Sequence, residues 1–342
     1  MNAEYIVRAM RETDLAGLRV LRDLAGPGFT SLAIDDATLR ARLEKSCATW
    51  RAPLTAPGSD QRYFLALEHR DSGVLAGIAA VKACVGEDPP FFNFRLLKIA
   101  QASHAAQRRY DMEVLILVNE FTGCAEVGSL FVHPDHRAGG VGRLLAQARY
   151  LVMAADPRRF SSTVVSELRG VVDAEGRSPF WEHLGRHFFR MEFAEADKLS
   201  ATTDNQFILD LMPKYPIYVD LLPQVARDTI GRCHPAGEGA LKLLQWEGFR
   251  FDHVVDIFDG GPLVTAPRDS IRTFREARRL PVFAGAPAGA RGIVAKDSIA
   301  EFACVGAMVD VRDGAAFAPA EVLSALGLNA GDTALVWSGD GG

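Results

Sequence analysis

Residues 133–145, HPDHRAGGVGRLL, are the densest cluster of chemically useful side chains in the sequence. Within them residues Arg137 to Gly142, RAGGVG, have the form R-x-x-G-x-G, with an additional glycine at position 139. Glycines allow a backbone to approach a pyrophosphate closely, and the arginine adds positive charge. The same residues would also suit an ordinary turn between a strand and a helix. A phosphate-binding loop and a plain turn are therefore the two interpretations to separate.

Two other kinds of site fit this stretch poorly. His133 and His136 are too few for a zinc site, and no third ligand follows at a recognisable spacing, so no metal is predicted. A dinucleotide-binding loop requires GxGxxG, but no third glycine follows Gly142, and Phe160 stands where an acidic residue is expected. The P-loop motif of nucleoside triphosphatases does not occur in the sequence.

The flanking residues predict that the stretch joins a strand to a helix. The apolar run EVGSLFV ends at residue 132, and apolar residues recur at helical spacing from Val141 to Ala155, just before Pro157. The first N–H groups of such a helix lack internal partners, and the helix dipole adds partial positive charge there. A phosphate group would find both hydrogen-bond donors and charge at this turn.

Periodicity and turn residues predict the other elements. Strands are predicted for YIVRAM, YFLALEH, VLAGIAAVKACVG, MEVLILVNE, EVGSLFVHP and STVVSELRG, and helices for ETDLAGLRVLRDLA and DDATLRARLEKSCATW. The segment SPFWEHLGRHFFRMEF predicts a short helix, a break at Gly185 and then a strand. Residues 194–233 predict mainly helix, and strands around one helix are predicted after residue 262.

Composition and charge exclude several classes of protein. Of 342 residues, 48% are hydrophobic and 24% are charged, which is ordinary for a soluble globular protein. The net charge of -5 gives no pull toward nucleic acid or a membrane surface, and no apolar run approaches the roughly 20 residues of a membrane span. Five scattered cysteines without CxxC spacing indicate neither disulfides nor a zinc ribbon, so a reducing cytoplasm is the expected location.

The order of these elements resembles that of the acyl-CoA N-acyltransferase (GNAT) superfamily. In that superfamily the R-x-x-G-x-G loop holds the pyrophosphate of coenzyme A, and the preceding strand pairs with the pantetheine amides. The resemblance implies that eight residues bind the CoA part of the co-substrate, namely Leu130, Phe131, Val132, Arg137, Gly139, Gly140, Val141 and Gly142.

The same resemblance implies an α+β fold. It would have a GNAT-like, mixed, mostly antiparallel sheet flanked by helices, a second GNAT-like half or insertion, and a small β-rich C-terminal appendage. The expected domains are an acyl-CoA-binding core at 1–193 and a small β-rich region at 263–342. Between them, at 194–262, we expect a helical insertion with a second helix–strand unit that completes the active site.

Longer segments resemble one family. FTGCAEVGSLFVHPDHR, VVSELRG, SPFWEHLGRHFFRMEF, LMPKYPIY, IGRCHP and DIFDGGP are similar to segments of the arginine N-succinyltransferase family, and the likeness covers nearly the whole chain. It implies transfer of succinyl from succinyl-CoA to the α-amino group of L-arginine or L-ornithine, in arginine degradation, without a prosthetic group. It also implies a homodimer or a hetero-oligomer with a related subunit. A CoA-binding partner subunit, or an acyltransferase with another donor or amine, remains the alternative.

The resemblance also implies roles for single residues. His234 in GRCHP matches the family's active-site histidine, regarded as a proton donor, and Leu130 matches a residue that contacts succinyl-CoA. Attack of an amine on a thioester releases a proton and the thiolate gains one, and an imidazole serves either need. Glu126 and Glu167 are the other catalytic candidates, although each also fits an ordinary ion-paired carboxylate. Cys233 keeps a minor alternative open, an acyl-cysteine route.

Three positions depart from the family pattern. Phe121 and Gln101 stand where the family tends to have histidine, and Asp111 stands where asparagine is common. If these residues line the amine pocket, the acceptor need not be arginine. The succinyl carboxylate requires a cation, for which the candidates are Arg95, Arg169 and Arg186.

Overall fold

Helices and strands form at most of the positions that the periodicity predicts. The computed structural model describes residues 3–26, 29, 31–53, 56–58, 60–286 and 289–339. Its strands are β1 (Tyr5–Ala9), β2 (Arg62–His69), β3 (Val74–Lys82), β4 (Asn93–Ser103), β5 (Arg108–Val118), β6 (Ala125–Val132), β7 (Thr163–Glu167), β8 (Ile217–Tyr218), β9 (Arg250–Asp256), β10 (Pro262–Pro267), β11 (Arg278–Ala284), β12 (Ala290–Lys296), β13 (Ala303–Arg312), β14 (Ala315–Ala318) and β15 (Thr333–Ser338). Its helices are α1 (Leu15–Ala25), α2 (Asp36–Arg51), α3 (Val141–Ala155), α4 (Pro179–His183), α5 (Gly185–Phe189), α6 (Phe193–Thr202), α7 (Gln206–Leu211), α8 (Gln224–Arg227), α9 (Glu238–Glu247), α10 (Arg272–Glu276) and α11 (Ala320–Leu326).

The chain divides into two compact units that are discontinuous in sequence. Unit 1 contains residues 1–84, 125–162 and 267–342, and unit 2 contains residues 85–124 and 163–266. The fold is mixed helix and strand, as the sequence predicts. The three consecutive domains expected from the sequence remain a prediction. In the described ranges, no helix is both long and apolar enough to span a membrane.

The sheet of unit 1 continues directly into the C-terminal strands. Its central strands follow the order β13-β1-β2-β3-β6, and each neighbouring pair is antiparallel. Strands β12, β15, β11, β14 and β13 close into a five-stranded barrel because β12 also pairs with β13. The apolar side chains of the barrel strands and α11 form one buried cluster, which includes Val305 and Val336. The C-terminal region therefore shares its hydrogen bonding with β1.

The strands of unit 2 are hydrogen-bonded in the order β7-β10-β9-β4-β5-β8. Its helices pack around Trp181, which is fully buried together with Phe180 and Phe94. Burial of aromatic side chains of this size dominates the stability of such a core.

Two sequence-based expectations differ from the structure. After α5 no strand forms in the fully described segment 178–193, because Arg190 takes a left-handed conformation (φ 56°) and α6 begins at Phe193. Phe189 and Phe193 pack against Trp181, which fixes this compact turn. No strand is predicted over 93–103, yet β4 forms there and pairs along its whole length with β5.

Candidate active site

The R-x-x-G-x-G stretch forms the turn between β6 and α3 in unit 1. Gly139 (φ 65°) and Gly140 (φ 85°) adopt conformations that residues with a side chain rarely accept. Gly140 is the N-cap of α3, and its carbonyl accepts the Leu144 N–H at 3.1 Å. No backbone carbonyl of the described residues accepts the N–H groups of Gly139, Gly140 or Gly142. These donors and the helix dipole suit an anion.

Arg137 is fixed beside this turn by its own contacts. Its Nε donates to the Val132 carbonyl at 2.9 Å, and its guanidinium carbon lies 5.4 Å from the centroid of the Phe131 ring. The two Nη groups remain for a phosphate, to which arginine binds with strong charge-assisted bonds. The N–H group of Val141 is less available to a phosphate than those of the glycines, because it donates to the Ala138 carbonyl at 3.3 Å. The Val141 side chain is buried.

A cleft of about 350 Å³ adjoins the glycine turn. The glycine turn and the start of α3 line one part of the cleft. The other lining residues include Glu4, Tyr5 at the start of β1, and Arg291 on the barrel strand β12. Arg291 brings a second cation to this cleft. The sequence offered no signal for it, since only barrel closure brings β12 near the turn.

Strand β6 has a bulge beside β3. Two residues of β6, Ser129 and Leu130, stand opposite one residue of β3, Ala79. Ser129 has φ 50°, which is uncommon for a residue with a side chain. A bulge takes backbone groups out of the ladder and redirects side chains. Leu130, the predicted succinyl-CoA contact, thus lies at the irregular point of the strand that leads into the glycine turn.

Glu126, one of the predicted catalytic residues, is ion-paired. Its carboxylate lies 2.5 Å from the Nζ of Lys82, and its side chain is 14% exposed. The guanidinium groups of Arg42 and Arg62 act on it from close by. The ordinary structural role considered from the sequence therefore applies to Glu126, and its role as a base stays a prediction.

His234 caps a short turn before α9 in unit 2. Its Nδ1 accepts the Ala236 N–H at 3.1 Å, so the proton of the neutral ring sits on Nε2. Its backbone N–H donates to the Arg169 carbonyl at 2.8 Å. Burial, then the positive charge of Arg169, lowers the pKa of His234. The imidazole is thus neutral near pH 7 and carries a proton on the nitrogen that the turn leaves unused.

Glu167 lies at the end of β7, two residues before the carbonyl that holds His234. Its Oε1 accepts a hydrogen bond from the Asn93 Nδ2 at 2.8 Å. Asn93 is fully buried, and its Oδ1 has no hydrogen-bond partner among the described residues. A buried acceptor without a donor is unfavourable. The Asn93 Oδ1 and the neighbouring Glu167 carboxylate are both acceptors, and together they suit an ammonium or guanidinium group.

Two buried aspartates fix the backbone around His234, and neither has a role that was predicted from the sequence. The Asp259 carboxylate accepts the N–H groups of Gly170 and Gly261, both at 2.8 Å. Burial raises the pKa of both Asp256 and Asp259, and the hydrogen bond between them favours a proton on Asp256. The turn DIFDGG is thereby joined to the segment that holds His234.

The two histidines of the opening stretch lie close to a third, His69. His136 accepts or donates a hydrogen bond at 2.9 Å with the Tyr5 hydroxyl, and its ring centroid lies 5.4 Å from that of His133 and 5.7 Å from that of His69. Burial, then the two neighbouring imidazoles, lowers the pKa of His136. In the described part of the chain, no group of three or more His, Cys, Asp or Glu side chains is placed to hold a metal ion.

Two of the three arginines suggested for the succinyl carboxylate form ion pairs elsewhere. Arg95 pairs with Glu120 at 2.6 Å. Arg186 forms ion pairs with Glu182 and Glu192 on an exposed helix end. Arg169 differs, because in the described part of the chain it makes no ion pair and its buried Nε has no hydrogen-bond partner, although its positive charge favours the ionised form of Asp259.

The three departures from the family pattern have structural roles. Phe121 is buried in a small core with Val165 and Val254. Asp111 pairs with Lys98 at 2.9 Å, and Gln101 accepts from the Tyr110 hydroxyl at 3.0 Å, both on the exposed part of the β4–β5 hairpin. Their substitution is therefore weak evidence for a changed amine pocket.

Replacement of Cys233 by serine is expected to leave kcat within about twofold of wild type. Burial raises the pKa of this thiol to about 11, so hardly any thiolate exists near neutrality, and the thiolate is the nucleophile in acyl-cysteine chemistry. Steady-state kinetics of C233S, with C124S as the matched control, test this. A loss of turnover confined to C233S, together with a trapped acyl-enzyme, would contradict it.

Comparison with known proteins adds independent evidence. The family described as arginine N-succinyltransferase beta subunit matches residues 5–273. An arginine N-succinyltransferase from Escherichia coli (strain 55989 / EAEC) is 39% identical over 330 residues, 96% of this chain and 95% of that protein. One from Enterobacter sp. (strain 638) is 42% identical over 283 residues, 83% of this chain and 82% of that protein. The solved structure of arginine/ornithine succinyltransferase subunit AI from Pseudomonas aeruginosa gives a TM-score of 0.89 at 32% identity, covering 98% of this chain and 99% of that one.

Together with the glycine turn and the bulged strand, these relatives define the class of protein, which is an acyltransferase. The identities are high and extend over nearly the whole chain. The chain belongs to the arginine N-succinyltransferase family, and the resemblance of its motifs is confirmed.

Proposed function

We propose that this chain transfers the succinyl group of succinyl-CoA to the α-amino group of L-arginine, in arginine degradation. The observation that carries the proposal is the turn from Arg137 to Gly142. It combines unpaired N–H groups with a fixed guanidinium, which suits the pyrophosphate of CoA. Succinyl-CoA is then a co-substrate, and no prosthetic group takes part.

Unit 1 is, in this proposal, a GNAT-like acyl-CoA module with a mostly antiparallel sheet. Residues Leu130 to Val132 hold the pantetheine as an added strand. Unit 2 supplies a second GNAT-like half. The supporting observation is a shared local design, since His133-Pro134 precedes α3 and His234-Pro235 precedes α9, and each imidazole accepts the N–H two residues later.

The chemistry is direct transfer. The amine nitrogen attacks the thioester carbonyl carbon, the new C–N bond forms, and the C–S bond breaks. The nitrogen loses one proton and the departing sulfur gains one. We assign the protonation of sulfur to Nε2–H of His234, and Glu126 is the proposed base for the amine proton. The amine is itself the nucleophile, so no acyl-enzyme is needed.

Glu167→Gln is expected to raise the KM for L-arginine by about 10- to 100-fold, because the substituted amide loses the charge that holds a cationic group. The KM for succinyl-CoA is expected to stay unchanged. Initial-rate kinetics with each substrate varied in turn measure both constants. Glu175→Gln, at an exposed position of the same unit, is the control. An unchanged KM for arginine in E167Q would remove Glu167 from the acceptor site.

Location and assembly are also part of the proposal. All five cysteines are free thiols, in keeping with a reducing cytoplasm. The solved relative is described as subunit AI of arginine/ornithine succinyltransferase, and we propose a homodimer or a hetero-oligomer with a related chain. Light scattering of the purified chain, alone and mixed with a related subunit, distinguishes the two.

The function itself is tested by thiol release from succinyl-CoA with a panel of amines. L-arginine is expected to give the highest kcat/KM, with L-ornithine second. Acetyl-CoA in place of succinyl-CoA tests the donor. If folded protein that still binds CoA released no thiol with any amine of the panel, the proposal would be overturned.

A further inference from the structure

A row of charged side chains crosses three strands of unit 1. Arg62 on β2 stands directly opposite Lys82 on β3, and Lys82 stands directly opposite Glu126 on β6. Direct cross-strand partners project from the same face of a sheet. The three side chains therefore project from one face of the sheet, beside the first residues of β6.

Helix α2 adds a second guanidinium to this row and connects it with the bulge. Arg42 donates to the Ser31 carbonyl at 3.1 Å, and the Ser31 hydroxyl lies 3.0 Å from the hydroxyl of Ser129 in the bulge. The charges of Arg62 and Glu126 both act on Arg42. The row is thus connected to the bulge of β6, which adjoins the residues Leu130 to Val132 proposed to hold the pantetheine.

The cluster has an excess of positive charge. The ammonium group of Lys82 forms an ion pair with the Glu126 carboxylate, with 2.5 Å between Nζ and the carboxylate oxygen. Arg62 is half-buried, and among the described residues it makes neither an ion pair nor a hydrogen bond, only a contact with the Phe64 ring at 5.9 Å. Burial lowers the pKa of Arg62, and burial followed by repulsion from Arg62 lowers that of Arg42 to about 10. Glu126 attracts Arg62, but not as a direct ion pair, and its carboxylate is already held by Lys82. A half-buried guanidinium that makes no direct ion pair among the described residues is a ready binding group for an anion.

We infer that Arg62, with Arg42 beside it, binds the distal carboxylate of the succinyl group and so selects a dicarboxylic acyl donor over acetyl. This inference rests on the proposed function. A four-carbon acyl group held at the bulge carries its carboxylate a short way along the sheet face, toward the cationic row. A planar guanidinium fork binds both carboxylate oxygens at once.

Arg62→Met tests the assignment, because methionine keeps the apolar stem and removes the charge. The kcat/KM for succinyl-CoA is expected to fall about 10- to 100-fold. The kcat/KM for butyryl-CoA, which has the same chain length and a methyl in place of the carboxylate, is expected to stay unchanged. The measured quantity is the ratio of the two constants, and Arg40→Gln on the exposed side of α2 is the matched control.

An unchanged succinyl-to-butyryl ratio in R62M would overturn the inference, whether both constants fall together or neither does. Arg62→Lys, which keeps the charge without the fork, is expected to retain part of the preference. Should R62M fail to fold, Arg42→Gln is measured in its place, with the same expected and contradicting results.

Binding separates this inference from the proposed function. Calorimetric titration of the wild-type chain is expected to show tighter binding of succinyl-CoA than of butyryl-CoA, and R62M is expected to abolish the difference. That pattern supports the carboxylate site even if no amine is acylated. Turnover of succinyl-CoA with arginine, combined with an unchanged preference in R62M, keeps the function and removes the site.

Discussion

Replacement of His234 by alanine is expected to lower kcat by about 10²- to 10⁴-fold, the usual contribution of a positioned acid or base. The neutral ring holds its proton on Nε2, because Nδ1 accepts the Ala236 N–H. Alanine removes the group proposed to protonate the departing thiolate. The KM for succinyl-CoA is expected to change little, since the proposed donor contacts lie on other residues. Steady-state kinetics with saturating arginine measure both constants.

His133→Ala is the matched control for this variant. His133 also precedes a proline and accepts the N–H two residues later, at 3.2 Å, so its removal costs the same kind of capping bond. We expect H133A to lose some stability and to retain kcat. If H133A and H234A lost the same fraction of turnover, the effect of His234 would be structural and its assignment as proton donor would be wrong.

The titration of His234 gives a second measurement. Burial and the positive charge of Arg169 both disfavour the imidazolium, so the pKa lies below the ordinary histidine value. NMR of the ring protons is expected to show this depression. Arg169→Met removes the positive charge and is expected to raise the pKa. A pKa at or above the ordinary value in the wild type would contradict the local electrostatics.

Gly261→Ala is expected to lower the free energy of unfolding by about 3 kcal/mol. A Cβ at Gly261 would lie 2.2 Å from the Leu168 carbonyl oxygen and 2.5 Å from the Gly170 nitrogen, and backbone atoms cannot yield locally. Separation of the two segments would also break the bond from the Gly170 N–H to Asp259 and leave a buried carboxylate with one partner fewer. Chemical denaturation of the purified variant measures the loss.

Gly239→Ala is the control for the glycine substitution. Among the described residues, no contact within 4 Å awaits a Cβ at Gly239, in the first turn of α9, so alanine is expected to be neutral or to stabilise by up to about 1 kcal/mol. Activity in G261A is expected to fall as well, because the displaced segment holds the backbone of His234. Equal stability of G261A and wild type would contradict the close approach of the two backbones.

Local signals in the sequence predicted most of the fold. Apolar runs bounded by turn residues predicted β1, β2, β3 and β6, and helical spacing predicted α1, α2 and α3. The failures lie where tertiary packing overrides local pattern. The strand expected before Phe193 is replaced by a helix start, because aromatic side chains close around Trp181.

The residues of the candidate site also fall into two groups, those that the sequence predicted and those that it did not. The glycine turn was predictable because its function depends on the backbone of a few consecutive residues. Asn93, Asp256 and Asp259 carried no signal, since their roles depend on partners far away in sequence, such as Glu167 and Gly170.

Motifs of neighbouring residues were enough to predict the family, the glycine turn and the candidate histidine. Which charged side chains are available for binding depends on the folded chain. The tertiary structure paired Arg95, Arg186 and Glu126 with nearby partners and left Arg62 half-buried without one in the described part of the chain. The physical reason is that a charge gains its chemical role from its neighbours, and strand pairing and helix packing choose those neighbours across long sequence separations.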